Sequence, residues 1–248
     1  MALLIDGPAS TIEDLQAVDS SILETARNEN ISVTAKLDVA RQAIELELSV
    51  FLLRTGNLGF GGDRDLRRVV VTPGLRRWHV LRTLAEVYGD AYSSQLNDRY
   101  LGKWKSFKEM ARETAELLME LGVGLVDNPV IKASMPTVSA APGAGAGGVY
   151  AVRVAWRNSM GQSGAASDAV VVEMAPGEVP SVEVGAMPGE CTGWDVYLGD
   201  SVNQTMRQNE SPLAPGSSWT LPVDGTVPGP SAPSGQSPEY FVRKRRVF

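Results

Sequence analysis

His79 and Cys191 are the only histidine and the only cysteine in this 248-residue chain, so two side-chain types that often do chemistry are nearly missing. A triad needs a histidine within reach of a serine or cysteine, and the spacing around His79 suggests no such partner. His79 follows Trp78 on an expected helix and reads as a structural or surface residue. One histidine and one cysteine also exclude a His/Cys metal cluster and an internal disulfide framework. Cys191, within Pro188-Gly189-Glu190-Cys191-Thr192-Gly193, reads as an idle thiol in a loop or at a strand edge. Gly56-Asn57-Leu58-Gly59-Phe60-Gly61-Gly62-Asp63 is glycine-rich like a phosphate cradle. It lacks the lysine and the Ser/Thr of a P-loop and does not follow a strand, so a loop between helices is the better reading. Carboxylates are plentiful, but spacing does not show two of them meeting as a glycosidase pair. No catalytic residue, metal site or cofactor is expected.

Two basic features remain. Arg64, Arg67, Arg68, Arg76 and Arg77 cluster near residues 63–77. They form either a solvated face paired locally with Asp63 and Asp65, or a surface between subunits or toward a partner, where the planar guanidinium fork is favoured. The C-terminal run Tyr240-Phe241-Val242-Arg243-Lys244-Arg245-Arg246-Val247-Phe248 combines three aromatics and two valines with four consecutive cations. It reads either as a disordered end or as a short strand or hook that docks into a partner's groove.

The elements that must position these residues change class near residue 130. Before it, Ser10 and Glu13 form a capping-box pattern that opens a helix running to about Arg27. A second helix is expected over about 33–53, with Leu37, Ala40, Ile44, Leu48 and Phe51/Leu52 as its apolar stripe. A third starts at Thr72-Pro73 and carries Leu75, Trp78, Leu81, Ala85 and Tyr88. A fourth carries Leu96, Tyr100, Phe107, Ala111, Thr114, Leu118 and Leu121 and ends at Gly122 and Gly124. After it, Tyr150, Val152, Val154 and Trp156 alternate with smaller or charged residues as in a half-buried strand, and a turn at Asn158–Gly161 leads to a strand at Ala169–Met174. Shorter strands are expected near 182–184, 194–198, 205–209 and 218–221. The expected fold is therefore α + β multidomain: a helical bundle over 1–128, a Pro/Gly/Ala linker over 129–148, a β-sandwich over 149–227, and a linker with a docking tail over 228–248.

Charge follows the same division. The net charge is −6 at pH 7, with −3 in residues 1–146, −6 in 147–232 and +3 in 233–248. Such a chain does not wrap nucleic acid electrostatically, and its basic end suggests a segment that docks elsewhere. The start, Met1 to Pro8, has no basic region and too short an apolar run for a signal peptide, and no run of ~18 apolar residues occurs. A soluble protein made in the cytoplasm is expected.

Two groups of motifs resemble a known family. Val70-Val71-Thr72-Pro73-Gly74-Leu75-Arg76-Arg77-Trp78, Asp90-Ala91-Tyr92 and Gln95-Leu96-Asn97-Asp98-Arg99-Tyr100-Leu101-Gly102-Lys103-Trp104 resemble the helical core of tailed-phage head–tail connector (adaptor) proteins. Gly193-Trp194-Asp195-Val196-Tyr197-Leu198-Gly199, Pro212–Thr220 and the 150–161 hairpin are similar to the fibronectin-III/Ig-like modules appended to phage neck and tail proteins. The resemblance implies a structural, non-enzymatic virion protein in a homo-oligomeric ring, commonly of twelve subunits. That ring would join the portal to a tail or head-closure protein and continue a DNA channel without sequence-specific binding or membrane contact. It makes residues 240–248 the portal-docking element, with assembly in the host cytoplasm. Acidic walls would let DNA slide through such a channel. The alternatives are a tail or baseplate module whose β-domain binds carbohydrate or a host surface through Trp156, Trp194 or Trp219, and a tail-associated hydrolase.

Overall fold

A computed structural model describes residues 1–55, 66–95 and 98–244. It is α+β and divides into a helical unit, Leu4–Asp127 with Pro238–Phe248, and a β unit, Asn128–Ser237 with Met1–Leu3.

The first helix, α1 (Ile12–Val18), starts one residue later than the Ser10/Glu13 pattern implies. Thr11 accepts from the Asp14 N–H and Asp14 accepts from the Thr11 N–H, which makes the reciprocal cap. The helix does not run on to Arg27. It stops at Asp19 and restarts as α2 (Ile22–Asn28), because the Asp19 carboxylate accepts from the backbone N–H and the hydroxyl of Ser21. That local turn competes with helical pairing. Three long helices follow: α3 (Val33–Thr55), α4 (Pro73–Gln95) and α5 (Asp98–Leu121). Pro73 occupies the first helical position of α4 and Thr72 accepts from the Leu75 N–H, as the sequence indicates.

α4 buries Leu75, Trp78, Val80, Leu81, Leu84, Val87 and Tyr88, residues that face nearly every direction around it. A helix apolar all round sits at the centre of its unit. α3 offers it Leu37, Ala40, Ile44, Leu48 and Leu52, and α5 offers Tyr100, Phe107, Ala111, Ala115 and Leu118. Leu121, expected on the same stripe, is instead 70% exposed. Leu96 lies outside the described residues, as does the whole 56–63 glycine segment.

The helical unit is completed by the end of the chain. After α5 comes β1 (Val123–Leu125), and β9 (Tyr240–Val242) pairs with it antiparallel, Val123 opposite Val242 and Leu125 opposite Tyr240. Val242 is buried in the helical core. The docking-tail reading of 228–248 is corrected to this extent: Tyr240–Val242 is an internal strand, because alternation along it turns Val242 inward and Phe241 outward. The division at 228 is corrected with it.

The β unit holds β2 (Thr137–Pro142), β3 (Gly148–Arg157), β4 (Val170–Met174), β5 (Glu178–Glu183), β6 (Gly193–Gly199), β7 (Met206–Arg207) and β8 (Trp219–Thr220). They form a three-stranded sheet in the order β2-β5-β8 and a four-stranded sheet in the order β4-β3-β6-β7, with every pair antiparallel. Val152, Val154 and Trp156 from β3 and Trp194, Val196 and Leu198 from β6 share one core with Val179, Val182 and Trp219 of the other sheet. The stretch 129–148 is not a linker. β2 pairs with β5 along its whole length, and Val130 and Ala133 are buried in the core. β2 lies at a sheet edge with mostly exposed side chains, so Ala, Ser and Thr suffice there and composition alone hides the strand. The second Pro/Gly-rich stretch is also structured: the buried Gln236 side chain accepts from the Val130 N–H at 2.6 Å and donates to the Asn128 carbonyl at 2.9 Å.

Among the described residues no helix is long and apolar enough to cross a membrane. The strand β9 gives a direct test of the fold. Val242→Ala removes two buried carbons and should cost the helical unit about 1–2 kcal/mol in urea denaturation. Phe241→Ala, on the outward face of the same strand, should change it by less than about 0.5 kcal/mol.

Candidate functional site

The turn between α1 and α2 gathers the groups most like a catalytic cluster. Asp19 is held there by Ser21, and it packs against α4 and α5, which contribute Tyr88 and Lys103. Lys103 Nζ donates to Asp19 Oδ2 at 2.7 Å, to Ser21 Oγ at 2.9 Å and to Tyr88 Oη at 3.0 Å, and the Tyr88 hydroxyl donates to Asp19 Oδ2 at 2.6 Å. A serine beside a lysine and a tyrosine has the makings of a nucleophile, so protonation decides its role. Burial works to raise the Asp19 pKa, but hydrogen bonds from Lys103, Tyr88 and Ser21 outweigh it and hold the carboxyl at about 2. Burial works to lower the Lys103 pKa, and its bonds to Asp19 and Tyr88 outweigh that and raise it. Lys103 is therefore a fixed cation with all three N–H donors used, and Ser21 donates its proton to a very weak base. The cluster latches the α1–α2 turn onto α4 and α5, with no free base to activate Ser21.

Of the structural and surface readings of His79, the structure has the first: the ring is buried and hydrogen-bonded at both nitrogens. Its Nδ1 lies 2.6 Å from Ser10 Oγ and its Nε2 lies 3.0 Å from the Leu37 carbonyl. The carbonyl can only accept, so Nε2 carries the proton and Nδ1 accepts from Ser10. Burial lowers the pKa of His79 and keeps the ring neutral; the Leu37 carbonyl opposes this, and the charge of Arg41 adds to it. Cys191 is buried, and desolvation, with Glu190 nearby, pushes its thiol up to about 11, well away from the reactive thiolate range. Among the described residues no group of three or more His, Cys, Asp or Glu side chains is placed to hold a metal ion.

The two basic features singled out in the sequence meet at one point. Arg68 Nε donates to the Val126 carbonyl at 2.8 Å, and its terminal nitrogen donates to Asp127 and to the Tyr240 hydroxyl. The guanidinium also stands 5.6 Å from the Tyr240 ring centre. Asp127 N–H donates to Glu239 Oε2 at 2.7 Å, and Lys244 N–H donates to the Met119 carbonyl at 2.8 Å. Arg68 is thus an internal clamp on the last strand and not part of a free arginine face. Arg67, Arg76 and Arg77 are exposed, as are Phe241, Arg243 and Lys244. Arg64, Arg245, Arg246, Val247 and Phe248 lie outside the described residues, together with Asp63 and Asp65.

The helical unit carries an open groove of about 1080 Å³ over α3, α4 and α5, floored by Trp78, Ala85, Gly89, Ala111 and Ala115. Its rim charges are largely paired with one another: Lys36 with Asp90, Arg82 with Glu47 and Glu86, and Arg112 with Glu109 and Glu116. A second, apolar groove of about 640 Å³ adjoins it and is lined by Leu46, Val50, Phe51, Met119 and Lys244. The motifs and stripes described from the sequence do not include this surface. Its signal was legible all the same, because Val39, Ala43, Leu46, Val50 and Leu53 recur at steps of four, three, four and three on α3. In the β unit Trp156, Trp194 and Trp219 are all buried, so none forms an exposed stacking platform.

The latch makes a prediction about acid. Asp19 is held near 2 in the folded protein against 3.8 as an ordinary aspartate, so its stabilising effect is complete above about pH 4 and is lost as pH falls through about 2. Asp19→Asn should destabilise the helical unit by about 1–2 kcal/mol at pH 7, with the difference from wild type vanishing near pH 2. Denaturation curves across that range test it; a gap that persists at the acid end would contradict the assignment. Compared with protein-family models, curated proteins and solved structures, the chain has no match.

Proposed function

We propose that this chain is a structural protein of a tailed-phage neck, without catalytic turnover. Copies of it would form a ring, of the twelve subunits common in the family it resembles, joining the portal to a tail or head-closure protein around the DNA channel. The observation that carries this reading is the anchoring of the C-terminal segment. β1 pairing, the Arg68 clamp on Tyr240 and the Lys244–Met119 bond fix residues 240–244 to the helical unit. Arg243 and Lys244, the first two cations of the run, are therefore held at a defined place on the helical unit, a pre-organised origin for docking.

Strand order supports the Ig/fibronectin-III reading of the β unit. If β2, β3, β4, β5, β6 and β7 are taken as strands B, C, C′, E, F and G, the sheet C′-C-F-G and the neighbours B-E follow in order. Trp156 then falls on strand C, where that fold buries a tryptophan. β8 departs from the pattern, because it lies on the edge of E that strand D occupies but is the last strand of the β unit. Burial of the three tryptophans weighs against the carbohydrate-binding alternative.

The test follows from the anchoring. Deleting residues 239–248 would also remove β9 and the buried Val242, so the informative truncation ends at Lys244. Removing Arg245–Phe248 should leave the melting curve unchanged and reduce binding to portal-bearing capsids by at least ~10-fold, read by co-sedimentation. Undiminished binding would exclude the docking role.

A further inference from the structure

α3 is apolar on two faces. Leu37, Ala40, Ile44, Leu48 and Leu52 fill the core, while Val39, Ala43, Leu46, Val50 and Leu53 lie outside at the spacing of a coiled-coil seam. Leu46 is 67% exposed and Leu53 65%. The seam opens into the apolar groove that Met119 and Lys244 complete. Of the charged residues there, Glu47 is held by Arg82 at 3.1 Å, whereas Arg54 and Lys244 have no ion-pair partner among the described residues.

The opposite flank of α5 carries the converse surface. Leu117 and Leu121 are 58% and 70% exposed. Each stands two residues from Met119, which at roughly 100° per residue is about 160° around the helix. Glu113 and Glu120 lie four residues before and three after Leu117, on the same stretch of helix surface. Both are exposed and without an ion-pair partner among the described residues. An apolar groove and an apolar ridge, whose cations and carboxylates have no ion-pair partner among the described residues, thus occupy different sides of one unit.

We propose that the groove receives the ridge of a second copy of this chain. Leu117 and Leu121 of one copy seat on Leu46, Val50 and Met119 of the next, and Glu113 and Glu120 meet Arg54 and Lys244. The two patches differ, so the contact is heterologous and leaves a free groove at one end and a free ridge at the other. Copies add head to tail, and a closing rotation gives a ring. Only that closure rests on the neck reading; the pairing itself rests on self-association, which is measured without a portal.

Sedimentation velocity and native mass spectrometry of the full chain test it. Wild type should assemble beyond the dimer. A groove variant, L46D/V50D, and a ridge variant, L117D/L121D, should each lose self-association by ~100-fold or more while keeping wild-type helical content. Mixed in equal amounts, the two should form a heterodimer and stop, because only one intact groove and one intact ridge remain. The surface charges provide a second route: R54E/K244E should weaken assembly, and adding E113K/E120K to the same chain should restore it by ~10-fold or more. A wild-type chain that stays monomeric at about 100 µM overturns the inference. So does a ridge variant that still dimerises by itself, since that would mean groove packs on groove, or a charge exchange that restores nothing.

Discussion

Val242 reaches the helical core through a gap that glycine leaves. Gly122 adopts φ +119°, and a Cβ there would lie 2.8 Å from the Phe241 Cβ. A Cβ on Gly124 would stand 2.8 Å from the Pro238 ring. Both distances are shorter than carbon atoms tolerate, so a side chain at Gly122 would push β9 away from β1, and one at Gly124 would displace Pro238 just before β9. Everything at that end of the unit depends on this approach: the ladder, the burial of Val242, the Arg68 clamp and the placement of Arg243 and Lys244. The paired strands are far apart in sequence, so closing them costs loop entropy that local helix formation does not offset. The buried valine, the charge-assisted bond from Arg68 and the Glu239–Asp127 contact supply the compensation.

The same division between interior and surface governs the polar groups. Asp195 is fully buried, yet it accepts from Arg157 at 2.6 Å and from Asn209 at 2.8 Å, while Asn209 also accepts from the Val196 N–H. Asp19, Tyr88, His79 and Gln236 are likewise bonded on every side their geometry allows. A buried charge tied in this way stabilises a turn or a strand return, and it is expensive to break because its partners then stand unsatisfied. Chemistry at such a site would need a group free to change its proton count, and here the strongest bonds remove that freedom.

Long periodic elements were legible from sequence alone. The buried stripe of α3, the Pro73 start of α4 and the alternation around Trp156 follow from spacing that tertiary context only reinforces. Short or compositionally bland elements were not. β2 contains Ala and Ser at a sheet edge where nothing demands larger side chains, and β9 has three residues, too few for a period. The break at Asp19 turns on one side chain choosing a local backbone partner, which periodicity averages away. Arg68 and Tyr240 both stand in runs that are conspicuous in the sequence, but their meeting depends on a strand pairing that neither neighbourhood encodes.

α3 shows why an amphipathic pattern must be read for what it leaves over as well as for what it buries. Apolar residues on opposite faces cancel in any average over the helix, so the helix looks weakly amphipathic although each face is well ordered. A monomer has no use for the second face, because exposed leucines add nothing to a core already closed by α4. The cost is tolerated when the surface is covered by something else, and contiguous exposed apolar residues on a folded helix are unusual without such a partner. Arg54, Arg67, Arg76, Arg77, Arg243, Lys244, Glu113 and Glu120 have no ion-pair partners among the described residues. α3 thus carries its surplus apolar surface on the side away from the core.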